Sequence, residues 1–127
     1  MYLAPVIFQE YVPAVRDIRV TIVGPKTFAT AICPPAGGYD VDYRMDIDGA
    51  RFEAIDLPAP TTRKLKAMMK RMGLVYGAVD LRRTPDDTYV FLEVNPAGEW
   101  RFVEEKTGQP ITAAMAQLLV ALDRAGG

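Results

Sequence analysis

Residues 73–100 read GLVYGAVDLRRTPDDTYVFLEVNPAGEW and contain two runs rich in β-branched and aromatic side chains. The first run covers residues 75–82, and the second covers residues 89–95. Between them, Thr-Pro-Asp-Asp at residues 84–87 has the proline and the short polar side chains that β-turns favour. The segment therefore predicts an antiparallel β-hairpin.

The predicted hairpin brings polar side chains together on one face of a sheet. Side chains alternate between the two faces of a strand, so Glu93 and Asn95 share a face. If Arg83 pairs with Thr88 to close the turn, Asp80 lies opposite an odd-numbered residue and joins that face. The pattern therefore predicts two carboxylates and one amide oxygen close together.

Asp80 and Glu93 lie within apolar sequence, which makes them candidates for a functional site. The flanking apolar residues are Val79, Leu81, Leu92 and Val94. A buried charge is costly without a partner, and neighbouring carboxylates repel each other unless a cation lies between them. Carboxylate and amide oxygens are hard ligands of the kind that Mg²⁺ prefers. The alternative is a solvated sheet face with ordinary surface charges, and the pattern alone leaves both interpretations open.

A second polar cluster precedes the hairpin. Gln-Glu-Tyr-Val at residues 9–12 ends one β-rich run, and Asp17 and Arg19 share a face of the next run. An acidic side chain can hold a ribose hydroxyl, and an arginine can hold a phosphate. The pattern alone favours the simpler interpretation, which is an exposed cross-strand ion pair.

The whole chain predicts an α+β fold with a mainly antiparallel sheet, helices packed on one face and the acidic residues on the opposite, open face. Thr61 or Thr62 is the candidate N-cap of the first helix, and Gly73 is its candidate stop signal. We find no repeat or linker, so residues 1–127 are expected to form a single domain. Besides the hairpin, the predicted strands are residues 6–12, 17–23, 27–33 and 52–57, and the predicted helices are residues 61–72 and 111–123.

The first predicted helix carries a run of cationic side chains that is most simply a solvated face. These residues are Arg63, Lys64, Lys66, Lys70 and Arg71. The spacing of Met68, Met69 and Met72 predicts that all three lie in the core. Trp100, just after the hairpin, is expected to pack against apolar residues rather than to contact a ligand.

The 127-residue chain has 15 basic and 16 acidic residues and a formal net charge of −1. A general nucleic-acid-binding protein needs a basic excess to neutralise phosphates, so this class is not expected. No apolar run approaches the ~20 residues of a membrane helix, and the start lacks the pattern of a signal peptide. The single cysteine, Cys33, fits a reducing, cytoplasmic setting.

The chain contains no histidine, which narrows the chemistry that it can perform. Ser-His-Asp and Cys-His nucleophiles are excluded, and so are metal sites built on imidazole. Any catalysis must use carboxylates, Arg, Lys, Asn, backbone amides or a metal ion held by oxygen ligands.

In their order along the chain, these segments resemble the ATP-grasp superfamily. Within it they are similar to the RimK-like ligases, above all to the ribosomal-peptide maturases of the microviridin type. The resemblance rests on FQEYVPAVRDIRVTIVG at residues 8–24, on residues 73–100 and on the final helix after TGQPI at residues 107–111. The order Gln-Glu-Tyr-Val, Asp-x-Arg, Val-Asp-Leu-Arg and Leu-Glu-Val-Asn-Pro-x-Gly is more specific than any single piece.

The resemblance implies roles for the residues around the hairpin. Asp80, Glu93 and Asn95 match the ligands of Mg²⁺, for which Mn²⁺ could substitute. Asp17 would contact the ribose of ATP. Arg19 would lie near the phosphates or the acyl-phosphate.

The resemblance also implies roles for residues outside that group. Glu10 and Tyr11 would lie at the hinge segment that meets adenine, with Val12 beside them using its backbone groups. Arg44 stands at a position of a basic phosphate contact, although this chain has Arg-Met-Asp where RimK-type ligases have Arg-Ser-Asn. Arg82 would face the acceptor or the phosphate.

The implied activity is ATP-dependent ligation, in which ATP converts a substrate carboxylate to an acyl-phosphate that an amine or a hydroxyl then attacks. For a peptide maturase the partner would be a precursor peptide, with side-chain amides or esters as products. The family's N-terminal domain and its lysine-bearing ATP-binding subdomain have no counterpart in these residues. The chain is therefore expected to be a C-terminal half that is inactive without the N-terminal half and that forms homo-oligomers through exposed apolar surface.

Two other interpretations compete with the enzyme fragment. The chain could be a non-catalytic peptide-binding or dimerisation module built on an ATP-grasp half-domain, which Mg²⁺-dependent ATP binding would distinguish. It could also be a nucleic-acid module built on the sheet. The net charge and the lack of a basic stripe with interleaved aromatic residues count against the latter.

Overall fold

The computed structural model describes residues 16–33 and 51–126, and the strand predicted for residues 6–12 lies outside them. The described part forms five strands in one antiparallel sheet, in the order β3-β2-β1-β4-β5, together with three helices. The predicted α+β class and antiparallel sheet are confirmed. In chain order the elements are β1 (Arg16–Val23), β2 (Lys26–Cys33), β3 (Arg51–Ile55), α1 (Ala59–Met72), β4 (Tyr76–Arg83), β5 (Tyr89–Asn95), α2 (Arg101–Thr107) and α3 (Ile111–Gly126).

Helices pack on both faces of the sheet rather than on one, which corrects the sequence-based expectation. On one face, Val20 and Ile22 of β1 are buried with Leu65 of α1. On the other face, Val23 packs in a cluster that includes Val103 of α2 and residues of α3. The central strand carries apolar side chains on both faces at this end, so each face needs a covering helix. The acidic residues lie on the face opposite α1, and α2 and α3 cover part of that face.

The boundaries of α1 differ from the prediction at its N-terminus only. The helix begins at Ala59, with Pro58 in the N-cap position and a proline in the first turn, rather than at Thr61 or Thr62. Proline is tolerated there because the first N–H groups of a helix have no intrahelical partner. Gly73 ends the helix in the left-handed conformation, at φ 70°, as its sequence predicts.

The methionines of α1 are not all buried. Met69 is 3 % exposed and Met68 packs at the edge of the core, but Met72, in the last turn, is 53 % exposed. Helical spacing alone predicted all three in the core. The prediction is wrong for Met72.

α2 is the element that the sequence pattern did not reveal. It has seven residues, of which only Val103 is buried, so it is too short to show a helical period. The segment that follows it is tied to the sheet by Gln109, whose side chain donates to the backbone oxygen of Ala29 at 3.1 Å and accepts from the Thr30 hydroxyl at 2.8 Å. None of the described helices is long and apolar enough to cross a membrane.

Candidate functional site

β4 and β5 place the two acidic residues of the hairpin directly opposite each other. Asp80 pairs with Glu93, and Ala78 pairs with Asn95. Directly opposed residues in an antiparallel sheet have Cβ atoms about 4.5–5.5 Å apart. Asp80, Glu93 and Asn95 therefore share one face of the sheet.

A β-bulge is required for this arrangement. Near the turn Arg83 pairs with Tyr89, not with Thr88 as the sequence-based register assumed. Without a correction, that pairing would place Leu92 opposite Asp80. The bulge after Asp80 inserts one extra residue in β5, and this restores the acidic pair.

Two arginines form ion pairs with carboxylates on this face, and each pair joins β1 to β4. Arg19 is the register partner of Asp80, and its Nε donates to Oδ1 of Asp80 at 2.9 Å. Arg82 is the register partner of Asp17, and its Nε lies 3.1 Å from Oδ1 of Asp17. The four side chains are only 6–15 % exposed. The cross-strand pairing was expected, but it joins different residues and is nearly buried, which corrects the prediction of an exposed pair.

Arg19 also connects the acidic pair to the segment that leads into α2. Its Nη1 donates to the backbone oxygen of Glu99 at 3.1 Å. Its guanidinium lies over the ring of Phe102, 5.8 Å from the ring centroid. Sequence reasoning missed Phe102 because the short helix that carries it was not predicted. Arg19, on β1, therefore links Asp80 of β4 to the segment at Glu99 and to α2.

The turn after β5 packs closely against β4. The N–H of Ala97 donates to Oδ1 of Asn95 at 2.9 Å, and the N–H of Gly98 donates to the Asn95 backbone oxygen at 3.2 Å. A Cβ atom added to Gly98 would lie 2.4 Å from Cβ of Ala78. Only glycine fits at this close approach. The turn thereby fixes the orientation of the Asn95 amide.

Tyr76 closes the same turn from β4. Its hydroxyl donates to the backbone oxygen of Gly98 at 2.7 Å. Burial raises the pKa of Tyr76 above its ordinary value, the charge of Arg19 opposes this shift, and the charge of Glu99 adds to it. Tyr76 is consequently a neutral hydrogen-bond donor at neutral pH.

The residues present suit a hard cation, but with few protein ligands. In the described ranges, 16–33 and 51–126, no group of three His, Cys, Asp or Glu side chains is placed to hold a metal ion. Two carboxylates and one amide oxygen are nevertheless a typical protein contribution to a Mg²⁺ site, because this ion keeps water and phosphate ligands. Arg19 engages one oxygen of Asp80, and a carboxylate has two oxygens.

Four of the residues assigned roles from the resemblance lie outside the described residues. They are Glu10, Tyr11, Val12 and Arg44. Their assignments stay predictions, as do the roles of Asp17, Arg19, Asp80, Arg82, Glu93 and Asn95.

The chain matches no protein-family model and no curated protein. Among solved structures, it is similar to macrocyclase MdnC bound with precursor peptide MdnA from Microcystis aeruginosa MRC, at 34 % identity and a TM-score of 0.70. That match covers 87 % of this chain and 31 % of MdnC. Macrocyclase MdnB from the same organism is also 34 % identical, with a TM-score of 0.72, and the match covers 89 % of this chain and 40 % of MdnB.

A third similar structure carries a nucleotide. It is a RiPP-associated ATP-grasp ligase from Chryseobacterium gregarium in complex with ADP and a leader and core peptide, at 25 % identity and a TM-score of 0.75. That match covers 87 % of this chain and 34 % of the ligase, so the chain spans less than half the length of each of these three proteins. In sequence and fold, the chain is therefore similar to part of the microviridin-type macrocyclases and to part of a RiPP-associated ATP-grasp ligase.

Proposed function

We propose that this chain supplies the acidic Mg²⁺–ATP site of a ligase that activates a carboxylate of a precursor peptide. The observation that carries the proposal is the direct pairing of Asp80 with Glu93, with Asn95 on the same face. Like charges in this position repel each other, and a bound cation would remove that repulsion. The similarity to an ADP-bound ATP-grasp ligase supports a nucleotide as the second component.

Asp80, Glu93 and Asn95 would hold the metal ion. When bound, the ion would neutralise charge on the phosphates during transfer to the substrate carboxylate. The contacts of the chain prepare this site in two ways. Arg19 fixes the position of Asp80, and the N–H of Ala97 orients the Asn95 amide. Ligands held in advance lose little conformational entropy on binding.

The two arginines would serve the phosphates and the peptide acceptor. Arg19 lies beside Asp80 and so would stand next to phosphates bridged at that residue. Arg82 lies two residues further along β4 on the same face, where Asp17 holds it. A guanidinium is a strong partner for phosphate and carboxylate oxygens because it offers several donors in one plane.

The substrate that we propose is a ribosomally made precursor peptide, modified at side-chain carboxylates to amides or esters. The similar structure of MdnC contains precursor peptide MdnA, and that of the RiPP-associated ligase contains a leader and core peptide. Because the chain spans only 31 % of MdnC, we further propose that turnover needs residues equivalent to the rest of such an enzyme.

Calorimetry of ATP binding, with and without Mg²⁺, tests the proposal. We expect Mg²⁺-dependent binding by the wild-type chain and its loss in the double variant Asp80→Asn, Glu93→Gln. The matched control is Glu105→Gln with Asp123→Asn, which removes the same charges at exposed positions of α2 and α3. Unchanged Mg²⁺-dependent binding by the first double variant would show that these acids are not the ligands.

A non-catalytic dimerisation module is the second candidate function, because α3 presents an exposed apolar surface. Leu119 is 62 % exposed, Val120 is 49 % exposed and Leu122 is 44 % exposed. Self-association through these residues would bury this apolar surface and would produce the homo-oligomer that the sequence leads us to expect. Analytical ultracentrifugation separates the candidates. A dimer that is lost in Leu119→Glu but binds no nucleotide would favour the module.

A further inference from the structure

The outer surface of α1 is positively charged, whereas the rest of the chain carries a net negative charge. α1 contains five cationic residues and no anionic one, whereas the other 113 residues contain 10 cationic and 16 anionic ones. None of the ion pairs found among the described residues involves an α1 side chain. Solvated helices more often alternate charges that stabilise each other. This helix instead has a basic face that no described acidic side chain neutralises.

An apolar cavity opens within that basic face. It has a volume of about 430 Å³, which falls within the range of roughly 300–1,000 Å³ typical of ligand sites. Ile22, Met69 and Leu74 contribute apolar side chains to it. It lies on the α1 side of the sheet, and is therefore separate from the site at Asp80 and Glu93.

Two lysines border the cavity and repel each other. Lys66 and Lys70 are one helical turn apart, and both line the cavity. Like charges at this spacing destabilise a helix, so the sequence keeps an unfavourable pair here. The Lys66 ammonium also donates to the backbone oxygen of Pro25 at 2.9 Å, which holds it beside the turn between β1 and β2. An ammonium has three donors, so one such bond leaves capacity for an anionic ligand.

The rim continues the apolar surface beyond the cavity. Val75, which lines the cavity together with the two lysines, is 48 % exposed. A bound group would thus meet an apolar floor, an apolar rim and two ammonium groups. This combination fits a bulky apolar side chain flanked by carboxylates better than it fits a phosphate backbone, which presents no apolar group to the cavity.

We propose that the cavity between Lys66 and Lys70 is a docking site for an acidic peptide segment that inserts one apolar side chain. The carboxylates of the segment pair with the basic face, and the apolar side chain covers Ile22, Met69 and Leu74. The inference does not depend on the proposed ligase activity, because it uses neither the acidic pair nor a nucleotide.

Fluorescence anisotropy tests the proposal with a fluorescein-labelled peptide, Gly-Glu-Glu-Leu-Phe-Glu-Glu-Gly, at low ionic strength. We expect saturable binding that weakens as salt is added, since exposed charges are screened. The double variant Lys66→Glu, Lys70→Glu should bind at least about tenfold more weakly, because like charges across an interface repel. A peptide with Ser-Ser in place of Leu-Phe should lose about tenfold in affinity for the wild-type chain, because the apolar burial is gone.

The matched control is Lys106→Glu with Arg124→Glu, on α2 and α3, which changes the net charge by the same amount at a distance from the cavity. This control should retain wild-type affinity. An equal loss in both double variants would show an effect of net charge alone and would overturn the proposal. Equal affinity for the Ser-Ser peptide would overturn it as well, and so would tight binding of a single-stranded oligonucleotide with none of the peptide.

Discussion

Gly98→Ala tests whether the close contact between the turn after β5 and β4 organises the candidate site. The new Cβ atom would lie 2.4 Å from Cβ of Ala78, whereas carbon atoms in contact normally lie about 3.5–4.0 Å apart. Both atoms are attached directly to the backbone, so no flexible side chain can move aside. The turn or the strand itself must shift by about 1 Å, which also displaces the Asn95 amide.

The expected cost is that of overpacking a well-packed site, about 1–3 kcal/mol. At about 2 kcal/mol, the melting temperature of a domain of this size falls by roughly 6–10 °C. Differential scanning calorimetry measures this change directly, and urea denaturation gives the free energy of unfolding at 25 °C. If Gly98→Ala melts like the wild-type chain, the close approach does not exist and the reasoning is refuted.

A second substitution separates steric overlap from any other effect of the alanine. Ala78→Gly removes the opposing methyl group and should by itself cost about 1 kcal/mol, because it puts glycine in a strand and leaves a small void. In the double variant the overlap is relieved. Its loss of free energy of unfolding should therefore be smaller than the sum of the two single losses by about 1–2 kcal/mol. Gly108→Ala is the control, since Gly108 has φ 75° with open space around it, and Ala78→Gly should not rescue it. Simple additivity of Gly98→Ala and Ala78→Gly would contradict the contact.

Two further predictions concern the charges and the phenol at the site. Arg19→Met should lower the free energy of unfolding, measured by urea denaturation, by about 3–5 kcal/mol, because the nearly buried carboxylate of Asp80 loses its partner. Arg83→Met removes an exposed pair with Asp87 and should have a much smaller effect. Similar losses in both variants would argue against a buried pair. Burial raises the pKa of Tyr76 in the folded chain above its pKa in the unfolded chain, which is near 10. The protonated phenol therefore contributes its full stability below the pKa of the unfolded chain, and this contribution is lost as the pH rises through the pKa of the folded chain. The free energy of unfolding measured between about pH 9 and 11 should therefore fall more steeply in the wild-type chain than in Tyr76→Phe, and parallel slopes would refute this.

The strands were largely predictable because their signals are local. Alternating apolar residues and the polar turn at 84–87 identified the hairpin, and β5 has the predicted bounds, Tyr89–Asn95. α3 began where its apolar period begins, at Ile111. α2 failed to be predicted for the opposite reason. With one buried residue in seven, it depends on tertiary packing for its stability rather than on its own pattern.

The candidate site was predictable only in part. The type and order of the residues indicated an oxygen-rich acidic site, and the absence of histidine excluded catalysis by an imidazole group. Both conclusions need only the sequence. The parity of the strand indicated that Asp80 and Glu93 could share a face. The register that was assumed near the turn was wrong by one residue, and the pair forms because a bulge compensates for it.

Residue types and the two-residue period of a strand are enough to establish which side chains are available and which of them share a face. The pairing of the charges depends on the assembled sheet. β1 lies between β2 and β4, and this order brings Arg19 to Asp80 and Arg82 to Asp17 across 61 and 65 positions of the chain. Such pairings follow from strand order and register, which are set by burial over the whole sheet and leave no trace in the local pattern.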